Sequence, residues 1–176
     1  PISGVIVRSG KPASFATGAD VEAIGRPADR DAAIRAIERA QTTLARLADL
    51  PCPTVAAIDG VCLGVGAELA LACGSRVAAD EPHTRIGLPD VLLGFYPAFG
   101  ATPRLARLVG TRAALDLLLG GRLVGAREAE RLGLVARAVP AADLLDRPQH
   151  RQTGVAPVRP PRDRWRPRTF RAWLAD

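Results

Sequence analysis

The sequence predicts an α/β fold, and three observations carry that prediction. Val55, Ala56, Ala57 and Ile58 form a short apolar, partly β-branched run between Pro53 and Asp59-Gly60, the pattern of a buried strand. A glycine turn with Gly60, Gly64 and Gly66 follows, and Ala67, Leu69, Ala70, Leu71 and Ala72 then make a helix closed by Cys73-Gly74. Upstream, Ile34, Ile37, Leu44 and Leu47 recur at helical spacing within 29–50, with Arg30, Arg35, Glu38, Arg39 and Arg46 largely on the other faces. Strand and helix in alternation over 176 residues suit one α/β domain able to bury a sizeable core.

In chain order, the first element is a strand over 4–8 through Val5, Ile6 and Val7, followed by a Ser9-Gly10-Lys11-Pro12 turn. Phe15-Ala16-Thr17-Gly18-Ala19-Asp20 reads as a loop. The amphipathic helix comes next and stops before Pro51 and Pro53, which cannot continue it. After the central strand, turn and helix, 76–79 predicts a strand, Asp80-Glu81-Pro82-His83 a turn, and 84–87 another short strand. Pro89-Asp90 opens a helical turn through Val91, Leu92 and Leu93. Helices are predicted over 102–109, with Thr102 as N-cap and Pro103 in the first helical position, over 111–119, and from Ala126 onward. Residues 134–139 close the organised part.

Glu68 is the acid of the otherwise apolar central helix. It lies in the first turn, where the helix dipole and free N–H groups favour a carboxylate. Two plain readings are open from the residues alone. Glu68 can serve as an electrostatic cap, or Gly64-x-Gly66 can be a dinucleotide turn with Asp80 or Asp90 as its ribose acid, although the third glycine of that fingerprint is missing. His83 invites a general-base role, but in a polar turn beside Pro82 it reads as a surface residue.

Three further stretches stand in a fixed order around the central one. They are SFATGAD at 14–20, TRIGLPDVLLGFYPAFGATPRLARLVG at 84–110 and LDLLLGGRLVGAREAERLGLVARAVP at 115–140. Together with IDGVCLGVGAELALAC they resemble the crotonase family of enoyl-CoA hydratases and isomerases, over roughly 4–145. The resemblance is strongest to the hydratase part of bacterial multifunctional fatty-acid oxidation proteins. It implies ββα units stacked into a spiral rather than an open doubly wound sheet, with a helical C-terminal part.

The resemblance also implies roles. The backbone N–H groups of Ala19 and Val65 would form an oxyanion hole for a thioester carbonyl, where preorganised donors and a helix N-terminus stabilise developing enolate charge. Gly18, Asp20, Gly64 and Gly66 would shape the substrate site, with Asp20 supporting its loop, and Tyr96 and Phe99 would line an acyl pocket. Glu68 and Asp90 would be the catalytic acids. Two carboxylates suit the addition of water across a conjugated double bond, because one proton must leave the water and one must reach Cα. Arg26 or Arg30 could meet a CoA phosphate, a solvated charge being the plainer role for each.

This chain departs from the family's pattern at several positions. Asp90 is one methylene shorter than the usual glutamate, Val65 stands where glycine is usual, Ala98 and Ala101 replace glycines, and Pro103 replaces a glutamine. The implied activity is hydration of a trans-2-enoyl-CoA in fatty-acid β-oxidation. The alternatives are double-bond isomerisation by Glu68 alone and a catalytically inactive remnant of the fold. No metal and no redox cofactor is implied, since CoA arrives with the substrate. The implied partners are an acyl-CoA thioester and either a homo-trimer or hexamer or the rest of a multifunctional chain.

Composition bounds the remainder. Cys52, Cys62 and Cys73 lack metal or disulfide spacing and are expected to be reduced cytoplasmic thiols. Neither a membrane span nor a signal peptide is expected, because no run of eighteen apolar residues and no leader pattern occurs. The family's domain carries an earlier β-rich segment, so residues 1–146 are expected to be an N-terminally incomplete hydratase/isomerase domain. The net charge of +6 resides in 147–176, where eight Arg and five Pro face only Asp163 and Asp176. That stretch is expected to be a disordered basic tail without a nucleic-acid partner, arising from a change of reading frame or a premature ending.

Overall fold

The computed structural model describes residues 2–19 and 29–145. Asp20, Arg26 and the predicted tail over 147–176 lie outside the described residues. The elements are β1 (Val5–Arg8), β2 (Ser14–Ala16), α1 (Arg30–Ala48), β3 (Thr54–Ile58), β4 (Val61–Leu63), α2 (Val65–Ala72), β5 (Ser75–Ala79) and β6 (Arg85–Gly87). A 3₁₀ turn at Pro89–Leu93 follows, then α3 (Ala101–Val109), α4 (Thr111–Gly120), α5 (Ala126–Arg131), β7 (Arg137–Val139) and a second 3₁₀ turn at Ala141–Asp143.

The strands sort into two parallel sheets, ordered β1-β3-β5-β7 and β2-β4-β6. Each unit gives its first strand to one sheet and its second to the other before the chain moves on. The path is therefore a spiral of ββα units, the architecture that the motif blocks imply. Register is kept from layer to layer, with Ile6 beside Val55, Val55 beside Ser75 and Val77 beside Arg137.

The sequence accounts for this layering. Every residue of β3 and of β5 is buried, as expected of parallel strands covered on both faces. Alternate residues serve different cores: Ala56 and Ile58 join the main cluster with Ala67, Leu71, Leu105 and Leu117, while Val55, Ala57, Val77 and Ala79 pack with Val139 and Leu144 behind the sheet. Helix α2 is buried nearly all round, which fits its alanine-rich, weakly amphipathic sequence. Helix α1 instead turns Ile34 and Leu44 inward, and Asp29 caps its start by accepting the Ala32 amide at 2.7 Å.

Three local expectations need correction. Residues 15–20 are not wholly loop, because Ser14–Ala16 is a strand, and the glycine turn after β3 holds a strand at Val61–Leu63. Both are three-residue elements set among turn residues, β4 between Gly60 and Gly64 and β2 two residues before Gly18; they exist because each finds a parallel neighbour. Helix α3 starts one residue earlier than predicted. Its N-cap is Gly100 in the left-handed region, and Thr102 and Pro103 fall inside the first turn. Pro103 is tolerated there because first-turn amides have no intrahelical partner to lose.

Candidate active site

The site forms where α2 begins. Gly64 holds φ 51° and ψ −121°, a combination that a side chain would strain. A Cβ on Gly64 would lie 3.8 Å from Gly18 Cα and 3.8 and 3.9 Å from Asp90 Oδ1 and Oδ2. Three segments far apart in sequence therefore converge on this one turn. The turn is held from behind by β6, whose Gly87 carbonyl accepts the Gly64 amide at 3.1 Å.

Gly66 sets how closely β2 approaches. A Cβ there would sit 2.4 Å from the Ala16 carbonyl oxygen and 2.6 Å from Ala16 Cβ, so only glycine lets β2 lie directly on α2. Two residues after Ala16, Gly18 takes φ 117° beside Leu63, and Ala19 follows it at an exposed position. Val65 opens α2, where the first amides of a helix point outward without intrahelical partners. The loop carrying Ala19 and the turn carrying Val65 thus flank one opening. Its floor is the start of a helix, whose dipole favours negative charge.

Glu68 lies one turn inside, 1% exposed. Its Oε1 accepts two backbone amides, from Phe99 at 2.8 Å and Ala101 at 3.2 Å. Burial pushes the Glu68 carboxyl up from the ordinary 4.5 to about 7. The amides of Ala101 and Phe99 pull it down, the nearby Asp90 charge adds to the rise, and Arg104 opposes it. Among the described residues, Glu68 Oε2 has no hydrogen-bond donor.

Asp90 reaches the same turn from the 3₁₀ segment. It is half-buried, and its Oδ2 is buried with no hydrogen-bond partner among the described residues. Burial raises its carboxyl above the usual aspartate range, partly offset by a hydrogen bond from its own backbone N–H. The two carboxyls are thus set apart by environment. Glu68 is the more deeply buried and holds its proton to higher pH.

Two groups that sequence reading did not select complete the arrangement. Gln41 Nε2 on α1 donates to the Ala98 carbonyl at 2.7 Å, and Arg104 Nη1 on α3 donates to the Phe99 carbonyl at 3.0 Å. The signals for them are weak: Gln41 is an uncharged polar residue beside Thr42 and Thr43 on an amphipathic helix, and Arg104 is one of two arginines in PRLARL. Phe99 contributes a backbone amide to Glu68, with its side chain half-buried, while Tyr96 is 65% exposed. Arg30 is exposed at the start of α1. His83 pairs with Asp59 at 3.2 Å on a surface turn, as its sequence context suggests. All three cysteines are free, and burial pushes the Cys62 and Cys73 thiols up to about 12 and about 11. No helix among the described residues is long and apolar enough to cross a membrane.

Comparison with known proteins meets this geometry. A family model described as enoyl-CoA hydratase/isomerase matches residues 1–157. The chain is 47% identical over 145 residues to the fatty acid oxidation complex subunit alpha of Vibrio cholerae, covering 82% of this chain and 20% of that protein. Among solved structures, an enoyl-CoA hydratase from Geobacillus kaustophilus superposes with a TM-score of 0.79 at 38% identity, covering 85% of this chain and 56% of that one. Human mitochondrial delta3-delta2-enoyl-CoA isomerase superposes with a TM-score of 0.72 at 34% identity, covering 80% and 54%. The chain therefore spans about a fifth of the curated relative's length and little more than half of the solved chains.

Proposed function

We propose a function from one settled premise: the chain belongs to the enoyl-CoA hydratase/isomerase family. The reading is that its site adds water across the double bond of a 2-enoyl-CoA, as a step of fatty-acid β-oxidation. The observation that carries it is the convergence of Glu68 and Asp90 on the Gly64–Val65 turn, two carboxyls with raised and separated proton affinities. The Vibrio cholerae relative's name supports the pathway. The substrate, an acyl-CoA thioester, and any oligomeric or multifunctional assembly are part of the same reading, as is the absence of a metal or redox cofactor.

The chemistry balances with one proton shared by the pair. The thioester oxygen lies against the amides of Ala19 and Val65, which take up enolate charge as it develops. Asp90, ionised, accepts a proton from water as the water oxygen bonds to Cβ. Glu68, neutral, keeps Oε1 on the Phe99 and Ala101 amides and delivers its proton from Oε2 to Cα. The pair then again holds one proton, which passes from Asp90 to Glu68 to restore the starting state. Removing one oxyanion donor costs on the order of 100- to 1,000-fold in such reactions, so the turn matters as much as the acids.

A second reading, double-bond isomerisation by Glu68 alone, is favoured by the human isomerase neighbour. The two differ in pH dependence. Hydration by a one-proton pair falls as pH rises through about 7, where Glu68 loses its proton. Isomerisation begins with abstraction of a proton by ionised Glu68 and rises through the same point. Loss of enoyl absorbance with crotonyl-CoA, followed from pH 5 to 9, should give a rate that declines above about 7. A hydration rate that climbs across that range would overturn the shared-proton scheme. Activity only on a 3-enoyl-CoA would favour the isomerase.

A further inference from the structure

Outside the two acids one device stands unused: the link from α3 back to Glu68. Residue Phe99 is held through both of its backbone groups, its N–H donating to Glu68 Oε1 and its carbonyl accepting Arg104 Nη1. Gly100, at φ 99°, makes room for that grip, because a Cβ there would lie 2.6 Å from Arg104 Nη1. Ala98, the next residue back, is tied to α1 by Gln41. The turn presenting two amides to Glu68 therefore has no charged anchor among its described hydrogen bonds other than Arg104.

We propose that Arg104 is a positioning residue, holding the Phe99–Ala101 turn through the Phe99 carbonyl so that both amides stay fixed on Glu68 Oε1. The Arg104 bond is to the Phe99–Gly100 peptide, which lies between the two peptides whose N–H groups Glu68 takes, so a charge-assisted donor there fixes the geometry of both. The guanidinium also acts directly. Glu68 faces two charged groups from the elements packed against α2, Asp90 on the 3₁₀ turn raising its proton affinity and Arg104 lowering it. Arg104 in turn is desolvated and feels Glu68 first, then Arg107 on its own helix and Asp49 at the end of α1. Arg104 is the smallest of the influences on Glu68 and opposes the rise that burial and Asp90 produce.

The inference rests on the proposed hydration reading for its kinetic arm only. Three readouts are taken on the whole chain and on Arg104→Met, Arg104→Gln and Arg104→Lys: amide hydrogen exchange at Phe99 and Ala101, the Glu68 titration midpoint by carboxyl ¹³C NMR, and the crotonyl-CoA hydration rate against pH. In Arg104→Met both amides should exchange at least tenfold faster, and the Glu68 midpoint should rise by roughly one pH unit, a tenfold change in proton affinity. The upper limb of the rate profile should move up with it, while kcat/KM falls about tenfold through loosened geometry. Arg104→Lys, which keeps the charge, should return the midpoint most of the way. Arg104→Gln carries the same test if the Met variant does not fold. Unchanged exchange at both amides with an unchanged midpoint in a folded neutral variant would overturn the proposal. A parent chain without hydratase activity would sink the functional reading instead, leaving exchange and titration to decide on Arg104.

Discussion

Helix α2 and the 3₁₀ turn at Pro89–Leu93 each deliver one carboxyl to the same place, and they do so from opposite physical situations. Six of the eight residues of α2 are buried, and its acid is pinned by two backbone amides. No residue of the 3₁₀ turn is buried; Leu92 and Leu93 face outward, and Asp90 alone reaches the Gly64 turn. One carboxyl is thus built into the core and the other is hung over its edge. The difference teaches why the two can hold different protonation states a few ångströms from a shared turn: depth of burial separates them, since neither has a cation bonded to its oxygens among the described residues.

The sharpest way to break the comparison is Glu68→Gln. Glutamine keeps an acceptor for Phe99 and Ala101 but cannot shuttle a proton, so the hydration rate should drop roughly 1,000-fold. Stability should move the other way. The folded-state value of about 7 lies above the ordinary 4.5, so the acid's favourable contribution is present below about 4.5 and is lost as pH rises through about 7. The variant should match the parent at pH 4 and exceed it at pH 8, by on the order of 3 kcal/mol in urea denaturation. Equal stabilities at pH 8 would mean that Glu68 is not held against its charge.

Next in size is Gly66→Ala, which attacks the contact that brings β2 and the Ala19 loop onto the start of α2. The new methyl would press on Ala16, its carbonyl oxygen and Cβ lying 2.4 and 2.6 Å away, so β2 must shift. Overpacking of this kind costs about 2 kcal/mol, and a displacement near 1 Å at the reacting groups costs on the order of 100-fold in rate. Chemical denaturation and kcat/KM measure the two effects separately. A folded variant with parental kcat/KM would show that β2 and its loop do not set the site.

Much of the core-built half was legible in the sequence, and little of the edge-built half was. Glycines at 60, 64 and 66, an alanine-rich run and a lone acid announce a buried turn and helix by composition alone. Strands β2 and β4 escaped because the turn residues around them, Gly10 and Gly18 for one and Gly60 and Gly64 for the other, read as loop, and their reason for existing is a partner strand elsewhere in the chain. The motif blocks marked Asp90, but nothing local to Pro89–Leu93 shows that its carboxyl points inward while its leucines point out. The capping of Glu68 was equally hidden. Backbone amides carry no signature of their own, and the helix start was placed at Thr102 where capping propensity pointed, one residue past the amide of Ala101 that Glu68 takes.

Asp90→Asn tests the edge-built half and should have the smallest effect of the three. Asparagine preserves the shape and can still hold a water by hydrogen bonding, but it cannot take that water's proton, so kcat/KM should fall about 10- to 100-fold. Stability should stay within about 1 kcal/mol, because the side chain is only half-buried and anchors no helix. The raised carboxyl value predicts the sign of what remains: burial penalises the ionised form, so any gain on substitution appears above the unfolded aspartate range and vanishes in acid. A loss as deep as that of Glu68→Gln, with a double variant no worse than either single one, would show that the two carboxyls act as one inseparable unit. A loss confined to a few-fold would show that the water can be deprotonated without Asp90, and would shift the whole acid–base burden onto Glu68.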